Sequence, residues 1–229
     1  MNILKNKNAL FIIISASVCA LLMCLADGVL KLPYVAKSVV KICLFLVVPV
    51  CYSLMNKAVR KKLKALLVPS RKAVITALML GCAVFAVILG GYFLLSPIID
   101  LSAIAESLTS GAGVGKDNFI YVAVYISFVN SLLEEFFFRG YSFLLLKSET
   151  SRVFAYIFSS LCFAIYHAGM TSGWFNIGIY LLSVLGLFVG GCIFNLLNEK
   201  SESIYPSYLT HMFANFAINL IGLIMFGII

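Results

Sequence analysis

Three stretches of this sequence place ionisable side chains among strongly apolar neighbours. The first reads LLEEFFFRG and holds Glu134, Glu135 and Arg139, and the other two contain the only histidines of the chain, His167 and His211. An acidic or basic side chain near the centre of a membrane helix costs about 2.5–3.5 kcal/mol on insertion scales, so it usually marks a functional site or a buried pair. These stretches are therefore the candidate functional site, and a purely structural polar clamp between helices is the alternative.

The spacing of these residues predicts which of them share a helix face. Glu135 and Arg139 are four residues apart and can form an ion pair, and this pairing favours their joint burial. Glu134 is rotated by about 100° from Glu135, so we expect it to be the unpaired carboxylate and a candidate general base. His211 and Asn215 are also four residues apart. Both can donate hydrogen bonds, which a developing oxyanion needs.

The elements that must position these groups are long apolar runs. Runs of roughly 20 residues suit membrane spans, and seven are predicted, at 9–26, 39–55, 73–99, 118–147, 153–170, 175–197 and 204–229. At ~1.5 Å per residue, Glu134 lies ~20 Å from the end of its span at Lys147, and His167 lies ~21 Å from the start of the next span at Val153. Since a short turn makes these two spans antiparallel neighbours, both groups are expected at one level. Phe163, one turn before His167, can pack beside the imidazole.

The composition predicts the fold class. The chain has 229 residues, of which 62% are hydrophobic and 11% are charged, whereas soluble domains are nearer half apolar and a quarter charged. We expect an all-α, polytopic transmembrane helix bundle embedded in the lipid bilayer, as a single integral membrane domain over 1–229. Within it, 1–117 holds the first three spans and an external connection, and 118–229 carries the motifs. The net charge of +8 does not indicate nucleic acid, because the basic residues cluster between spans.

The loops predict the orientation. Residues 56–72 form a loop with seven basic residues and no acid, which the positive-inside rule places in the cytoplasm together with the N-terminus. With seven spans the C-terminus is then external, as is the connection over 100–117, and 27–38 reads as a polar turn. The first apolar run has no signal-peptidase site and is expected to be a retained span. Six glycines are candidates for close helix contacts: Gly81, Gly90, Gly91, Gly186, Gly190 and Gly191.

The candidate residues fit two kinds of hydrolytic site. A carboxylate base, a histidine at its level and a donor pair describe activation of water and attack on a carbonyl. Alternatively, Glu134, His167 and His211 are a two-histidine, one-carboxylate set for a divalent metal such as zinc. A zinc-protease HExxH motif is absent, and neither Ser131 nor any cysteine has an adjacent histidine that would support a nucleophilic mechanism. The sequence leaves the metal question open.

The three motifs together resemble those of one family. EExxxR from Glu134, FxxxH from Phe163 and HxxxN from His211, each on its own predicted span, are similar to the signature of the CAAX-prenyl-protease and bacteriocin-processing family (CPBP, also called Abi) of polytopic intramembrane endopeptidases. The resemblance covers roughly residues 118–229. Members are described both as metalloproteases and as metal-independent glutamate proteases.

This resemblance implies roles for the motif residues. Glu134 would activate water with help from His167, and His211 and Asn215 would stabilise the oxyanion. The supporting residues of the site would be Glu135, Arg139 and Phe163.

The resemblance also implies a function and a location. The protein would be a hydrolase that cleaves a peptide bond of a membrane-associated peptide or protein, at a site open to the cytoplasm, in a bacterial plasma membrane. Bacterial-type members process peptides or confer bacteriocin immunity. The alternatives are a non-catalytic scaffold or immunity protein that binds a partner through the same polar cavity, and a transporter with a proton-relay glutamate. The transporter lacks support because the sequence shows no inverted repeat or paired broken helices.

Overall fold

The computed structural model describes residues 6–69, 71–97 and 102–229. Over these ranges the chain forms helices and no strands, and seven helices are long and apolar enough to cross a membrane. The all-α, polytopic bundle predicted from the sequence is therefore confirmed. The helices are α1 (Lys7–Gly28), α2 (Tyr34–Met55), α3 (Lys57–Leu66), α4 (Arg71–Leu95), α5 (102–111), α6 (Phe119–Leu145), α7 (Arg152–Thr171), α8 (Ile177–Ser201) and α9 (Tyr205–Met225). The candidate spans are all of these except α3 and α5.

The second span begins earlier than the sequence predicted. α2 starts at Tyr34, five residues before Val39, within the segment expected to be a polar turn. Pro33 precedes the helix, where a missing N–H costs nothing. The predicted apolar run begins after Lys37, which is charged. In the structure the ammonium group of Lys37 lies 2.8 Å from Asp27 Oδ1, which neutralises its charge. The prediction failed because an internal ion pair let the helix continue through a basic residue.

The basic segment predicted as a loop contains the amphipathic helix α3. Asn56 caps this helix by accepting hydrogen bonds from the backbone N–H groups of Ala58 and Val59. Val59, Leu63 and Leu66 are buried at helical spacing, whereas most of the basic side chains point outward. The apolar stripe, which a count of charges does not reveal, makes this segment helical.

Successive spans alternate between two ends of the bundle. At one end, Lys62 of α3 binds Glu149 in the turn after α6, at 3.0 Å, and Ile204 N before α9 donates to Leu66 O. At the other end, the indole N–H of Trp174 donates to Ser107 Oγ of α5 at 3.1 Å. The turns that follow α6 and α8 therefore lie beside α3, and the turn after α7 lies at the opposite end.

An aromatic cluster holds α2 against the helices that carry the motifs. The ring of Phe45 on α2 stacks on Phe137 of α6 with centroids 4.2 Å apart. The same ring makes edge contacts with Phe138, at 5.1 Å, and with Tyr166 of α7, at 5.3 Å. Such pairs add about 0.5–1.5 kcal/mol each beyond area burial. Because Lys41 lies one turn before Phe45, this cluster fixes the position of a lysine beside the motif helices.

The motif helix α6 is not a regular α-helix. Its backbone forms i→i+5 hydrogen bonds over Tyr125–Asn130 and again over Glu135–Leu145. Wide turns of this kind are rare and occur frequently at functional sites. They flank Glu134, so the rotation between neighbouring side chains here departs from the 100° assumed from the sequence.

Only part of the predicted glycine contacts form. A Cβ atom at Gly81 would lie 2.8 Å from the Phe213 ring, and one at Gly191 would lie 3.0 Å from Ser160 Cβ. These two glycines therefore allow close approach of α4 to α9 and of α8 to α7. The other four predicted contact glycines have no neighbour of this kind within 4 Å in the described part of the chain: Gly90, Gly91, Gly186 and Gly190.

A glycine that the sequence analysis did not select is the tightest contact between helix backbones. A Cβ atom at Gly169 of α7 would lie 3.0 Å from the backbone C and Cα atoms of Cys24 on α1 and would overlap its carbonyl oxygen. Because backbone cannot yield as a side-chain end does, we expect Gly169→Ala to separate α1 from α7 and to lower the stability by about 1–3 kcal/mol. Thermal unfolding of the purified protein in detergent measures this loss.

The control for this substitution is Gly186→Ala on α8. This position has open space around it, so the added methyl group should leave Tm unchanged or raise it slightly through better helix propensity. Equal Tm values for the two variants would show that the α1–α7 crossing does not depend on a bare backbone at Gly169.

Candidate active site

Three helices bring the predicted polar residues to one point. Glu134 of α6, His167 of α7 and His211 of α9 are 1%, 9% and 8% exposed. Glu134 Oε2 lies 3.7 Å from His167 Nε2 and 3.9 Å from His211 Nε2. The sequence placed Glu134 and His167 at the same level, and in the structure His211 joins them around one carboxylate oxygen.

The two oxygens of the Glu134 carboxylate have different surroundings. Oε1 accepts hydrogen bonds from Asn130 Nδ2 at 2.7 Å and Tyr166 Oη at 2.8 Å, and Lys41 Nζ lies 3.2 Å away. Oε2 is buried and has no hydrogen-bond partner within the described ranges. A buried carboxylate oxygen is costly to leave without a donor, so Oε2 is the atom poised to bind a further group.

This geometry corrects one expectation from the sequence. Glu134 was expected to be the unpaired carboxylate, but Lys41 of α2 forms an ion pair with it. The side chains of Lys41 and Glu134 are 11% and 2% exposed, so the pair is mostly shielded from solvent. The expectation was wrong because it considered partners on the same helix only, whereas this partner comes from another span.

The sequence analysis did not select three residues that contact Glu134, although the type or the position of each in the sequence could have indicated it. Lys41 is an ionisable residue inside an apolar span, the criterion that selected the motif residues themselves. Asn130 precedes Glu134 by four residues on the same helix, and Tyr166 is adjacent to His167.

Both histidines are oriented through their Nδ1 atoms. His167 Nδ1 lies 2.9 Å from the backbone oxygen of Phe163, and His211 Nδ1 lies 2.9 Å from Glu135 Oε1. Since both partners are acceptors, we assign a proton to each Nδ1. Each Nε2 then faces Glu134 Oε2, as an acceptor when the ring is neutral and as a donor when it is protonated.

The predicted ion pair between Glu135 and Arg139 is present and fully buried. Arg139 Nε lies 3.3 Å from Glu135 Oε2, and both side chains are inaccessible to solvent. The guanidinium carbon lies 4.1 Å from the centroid of the Phe163 ring and 5.0 Å from that of Phe194. The Phe163 ring also packs on His167, with centroids 4.3 Å apart, as the spacing predicted. Phe163 therefore separates the arginine from the histidine and contacts both.

Asn215 is close to the site but its amide is already engaged. Its Nδ2 atom donates to Ser131 Oγ at 2.8 Å and, more weakly, to the backbone oxygen of Ile126 at 3.4 Å. The contact with Ser131 fixes α9 against α6 three residues before Glu134. Within the described chain, Asn215 forms no direct hydrogen bond to Glu134 or to His167. To donate to an oxyanion, its amide would have to give up one of its present acceptors.

The formally charged side chains at the site balance one another. Glu134 pairs with Lys41, and Glu135 pairs with Arg139. The two carboxylates and the two cations thus sum to zero, with the histidines left aside. Because burial of an unbalanced charge is costly, this balance explains how four ionisable groups are retained inside an apolar bundle.

Binding of a divalent metal by Glu134, His167 and His211 stays a prediction. Across the described ranges, no cluster of three or more His, Cys, Asp or Glu side chains is arranged to hold a metal ion. The Lys41 ammonium group also competes with any bound cation for the Glu134 carboxylate.

One protein-family model matches part of this chain. The model described as "Type II CAAX prenyl endopeptidase Rce1-like" matches residues 116–217. This range contains every motif residue from Glu134 to Asn215, whereas α1 to α4, including Lys41, lie outside it. Neither the search of the curated proteins nor that of the solved structures gave a match. The resemblance inferred from the three motifs is confirmed over residues 116–217, which are similar to the Rce1-like family of type II CAAX prenyl endopeptidases.

Proposed function

We propose that this protein is a CAAX-type membrane protease, a glutamate-dependent endopeptidase that cleaves a membrane-associated peptide or protein. The observation that supports this most directly is the asymmetry of Glu134. Three donors surround Oε1, while Oε2 is buried without a hydrogen-bond partner in the described structure and faces two imidazole Nε2 atoms. A water molecule bound at Oε2 would donate a hydrogen bond to a carboxylate whose orientation is fixed by the three donors at Oε1.

In the proposed reaction Glu134 acts first as a base and then as an acid. Oε2 removes a proton from the water while the water oxygen attacks the carbonyl carbon of the scissile bond. The carbonyl π electrons move to oxygen and form a tetrahedral oxyanion. When this collapses, the C–N bond breaks and Glu134 returns its proton to the departing amine. The products are one new carboxyl group and one new amine, so the atoms of one water molecule are fully accounted for.

The histidines would orient the water and stabilise the oxyanion. His167 is held by the carbonyl of Phe163 and presents Nε2 to the water as a hydrogen-bond acceptor. His211, held at Nδ1 by Glu135, becomes a donor at Nε2 when its ring is protonated. An oxyanion donor aimed into a site with little water typically contributes ~10²–10³-fold to kcat. Glu135 and Arg139 would support the site by fixing His211 and the Phe163 ring.

The proposed orientation places the basic end of the bundle in the cytoplasm. α3 and the turn after α6, which bind one another through Lys62 and Glu149, form the end with most of the lysines and arginines. The positive-inside rule assigns such an end to the cytoplasmic side. The N-terminus would then be cytoplasmic and the C-terminus external, and substrates would reach the site from the cytoplasm.

Cleavage by the purified protein in proteoliposomes tests this function. The substrates would be a fluorogenic prenylated peptide and matched peptides without the lipid, with products identified by mass spectrometry, in the presence and absence of a strong chelator. We expect cleavage at a single bond that persists with chelator. Loss of cleavage with chelator and recovery with zinc would contradict the metal-independent mechanism. Failure to cleave any substrate, together with full biological function of a Glu134→Gln variant, would support the binding-scaffold alternative.

A further inference from the structure

A helix outside the family match contributes a charged group to the site. Lys41 of α2 places its Nζ atom 2.5 Å from Asn130 Oδ1 and 3.2 Å from Glu134 Oε1. The same ammonium group lies 4.9 Å from the centroid of the Tyr166 ring. The family match begins at residue 116, so nothing in the matched motifs accounts for this lysine. Two of these neighbours, Asn130 and Tyr166, donate hydrogen bonds to the same Glu134 oxygen, Oε1, that Lys41 approaches.

The contacts of Lys41 define what it can do for Glu134. Asn130 bridges the two groups, because its Oδ1 accepts from Lys41 and its Nδ2 donates to Glu134 Oε1. With the donor Tyr166 on the same oxygen, the carboxylate is fixed in position and carries a nearby positive charge. A carboxylate buried this deeply would be strongly disfavoured as an anion without such a partner. A general base must be an anion before it can accept a proton.

We propose that Lys41 is a positioning residue of the active site, which keeps Glu134 ionised and fixes Oε1 so that Oε2 receives the proton of the attacking water. The proposal rests on the base role of Glu134 given above. It also assigns a function to α2, whose position against α6 and α7 is set by the Phe45 ring cluster. Lys41 acts through Glu134 and Asn130 and does not itself need to touch the substrate.

Lys37 provides a matched control on the same helix. It precedes Lys41 by one turn, and its side chain is similarly shielded, at 19% exposed against 11%. It also binds a buried carboxylate, with Nζ 2.8 Å from Asp27 Oδ1. That partner lies on α1, and among the described residues it forms no hydrogen bond or ion pair with Glu134. Replacing Lys37 should therefore disturb α2 about as much as replacing Lys41, without changing the charge next to Glu134.

The first test uses stability and does not depend on catalysis. Lys41→Met and Glu134→Gln should each lower Tm, because each leaves one buried charge without its partner. The double variant should recover most of the loss, since both charges are then gone. Lys37→Met combined with Glu134→Gln should show additive losses instead. Additive losses for Lys41→Met with Glu134→Gln would overturn the proposed pairing.

The second test separates a positioning role from a structural one. With a cleaved peptide substrate, Lys41→Met should lower the kcat of the folded enzyme by about 100-fold while KM stays within about threefold. Lys41→Arg, which keeps the charge, should recover at least about a tenth of wild-type kcat. Lys37→Met should lower Tm but leave kcat within about threefold. A Lys41→Met enzyme as active as Lys37→Met would overturn the proposal even if the pairing is real.

The two tests also separate this proposal from the proposed function. If the wild-type protein cleaves no peptide, the endopeptidase function fails, while the stability cycle still reports whether Lys41 and Glu134 form a charge pair. If the wild type cleaves peptides and the stability cycle shows coupling, the kcat of Lys41→Met decides the positioning role alone.

Discussion

Replacing Glu134 with Gln should lower the rate of peptide cleavage by about 10²- to 10⁴-fold, the range that removal of a general base typically produces. The amide is nearly isosteric with the carboxylate but cannot accept a proton from water at neutral pH. It also gives up the negative charge that Lys41 faces at 3.2 Å, so a lower Tm should accompany the loss of activity. The variant should still fold and insert, because the surrounding aromatic and apolar contacts are unchanged. Cleavage kinetics in proteoliposomes, normalised to folded protein, measure the effect.

The control for this experiment is Glu202→Gln. Glu202 lies in the turn after α8, its side chain is 65% exposed, and it pairs with Lys147 far from the histidines. This substitution also removes one carboxylate, yet it should leave cleavage unchanged. Wild-type activity in Glu134→Gln would rule out Glu134 as the base. Among the described residues, Glu135 would then be the remaining carboxylate at the site.

Removing one partner of the buried pair between Glu135 and Arg139 should have the largest effect on folding. Neither side chain has any exposure, so Arg139→Gln leaves the carboxylate of Glu135 buried without its cation. Breaking a buried pair in this way typically costs about 3–5 kcal/mol. The aromatic rings of Phe163 and Phe194, which face the guanidinium group, lose their cation as well. We expect a marked fall in folded yield and in Tm, measured after purification in detergent.

Two comparisons make this prediction specific. The double variant Glu135→Gln with Arg139→Gln should be less destabilised than the sum of the single variants, since it leaves no unpaired charge. Arg152→Gln breaks an exposed pair with Glu199 at the end of the bundle and should change Tm little. Similar Tm values for Arg139→Gln and Arg152→Gln would mean that the buried pair does not stabilise the fold.

Helical spacing predicted the contacts that lie within one helix. Residues four apart share a face, so the pair of Glu135 with Arg139 and the packing of Phe163 on His167 followed from the sequence and are present in the structure. Counting residues along neighbouring antiparallel spans also brought Glu134 and His167 to one level. These arguments work because residues four apart stay near one face of a helix, both in the regular turns of α7 and in the wide turns of α6.

Contacts between helices could not be derived in the same way. Which face of α2 meets α6 depends on the packing of Phe45, so the pairing of Lys41 with Glu134 was missed. The engagement of Asn215 with Ser131 depends on how α9 is rotated against α6, which no spacing within either helix specifies. The glycine contacts show the same limit, since Gly81 meets a ring whereas Gly90 faces open space.

The balance of two carboxylates and two cations at the site predicts how the proposed reaction responds to membrane voltage. In the proposed reaction Glu134 becomes neutral as the carbonyl oxygen becomes negative, so one negative charge is displaced and none is created. A charge that crosses the whole membrane responds by about 2.3 kcal/mol per 100 mV. A displacement of a few ångströms, in a hydrocarbon core of ~30 Å, would respond by roughly a tenth of that. Cleavage should therefore run at nearly the same rate in energised and in depolarised membranes.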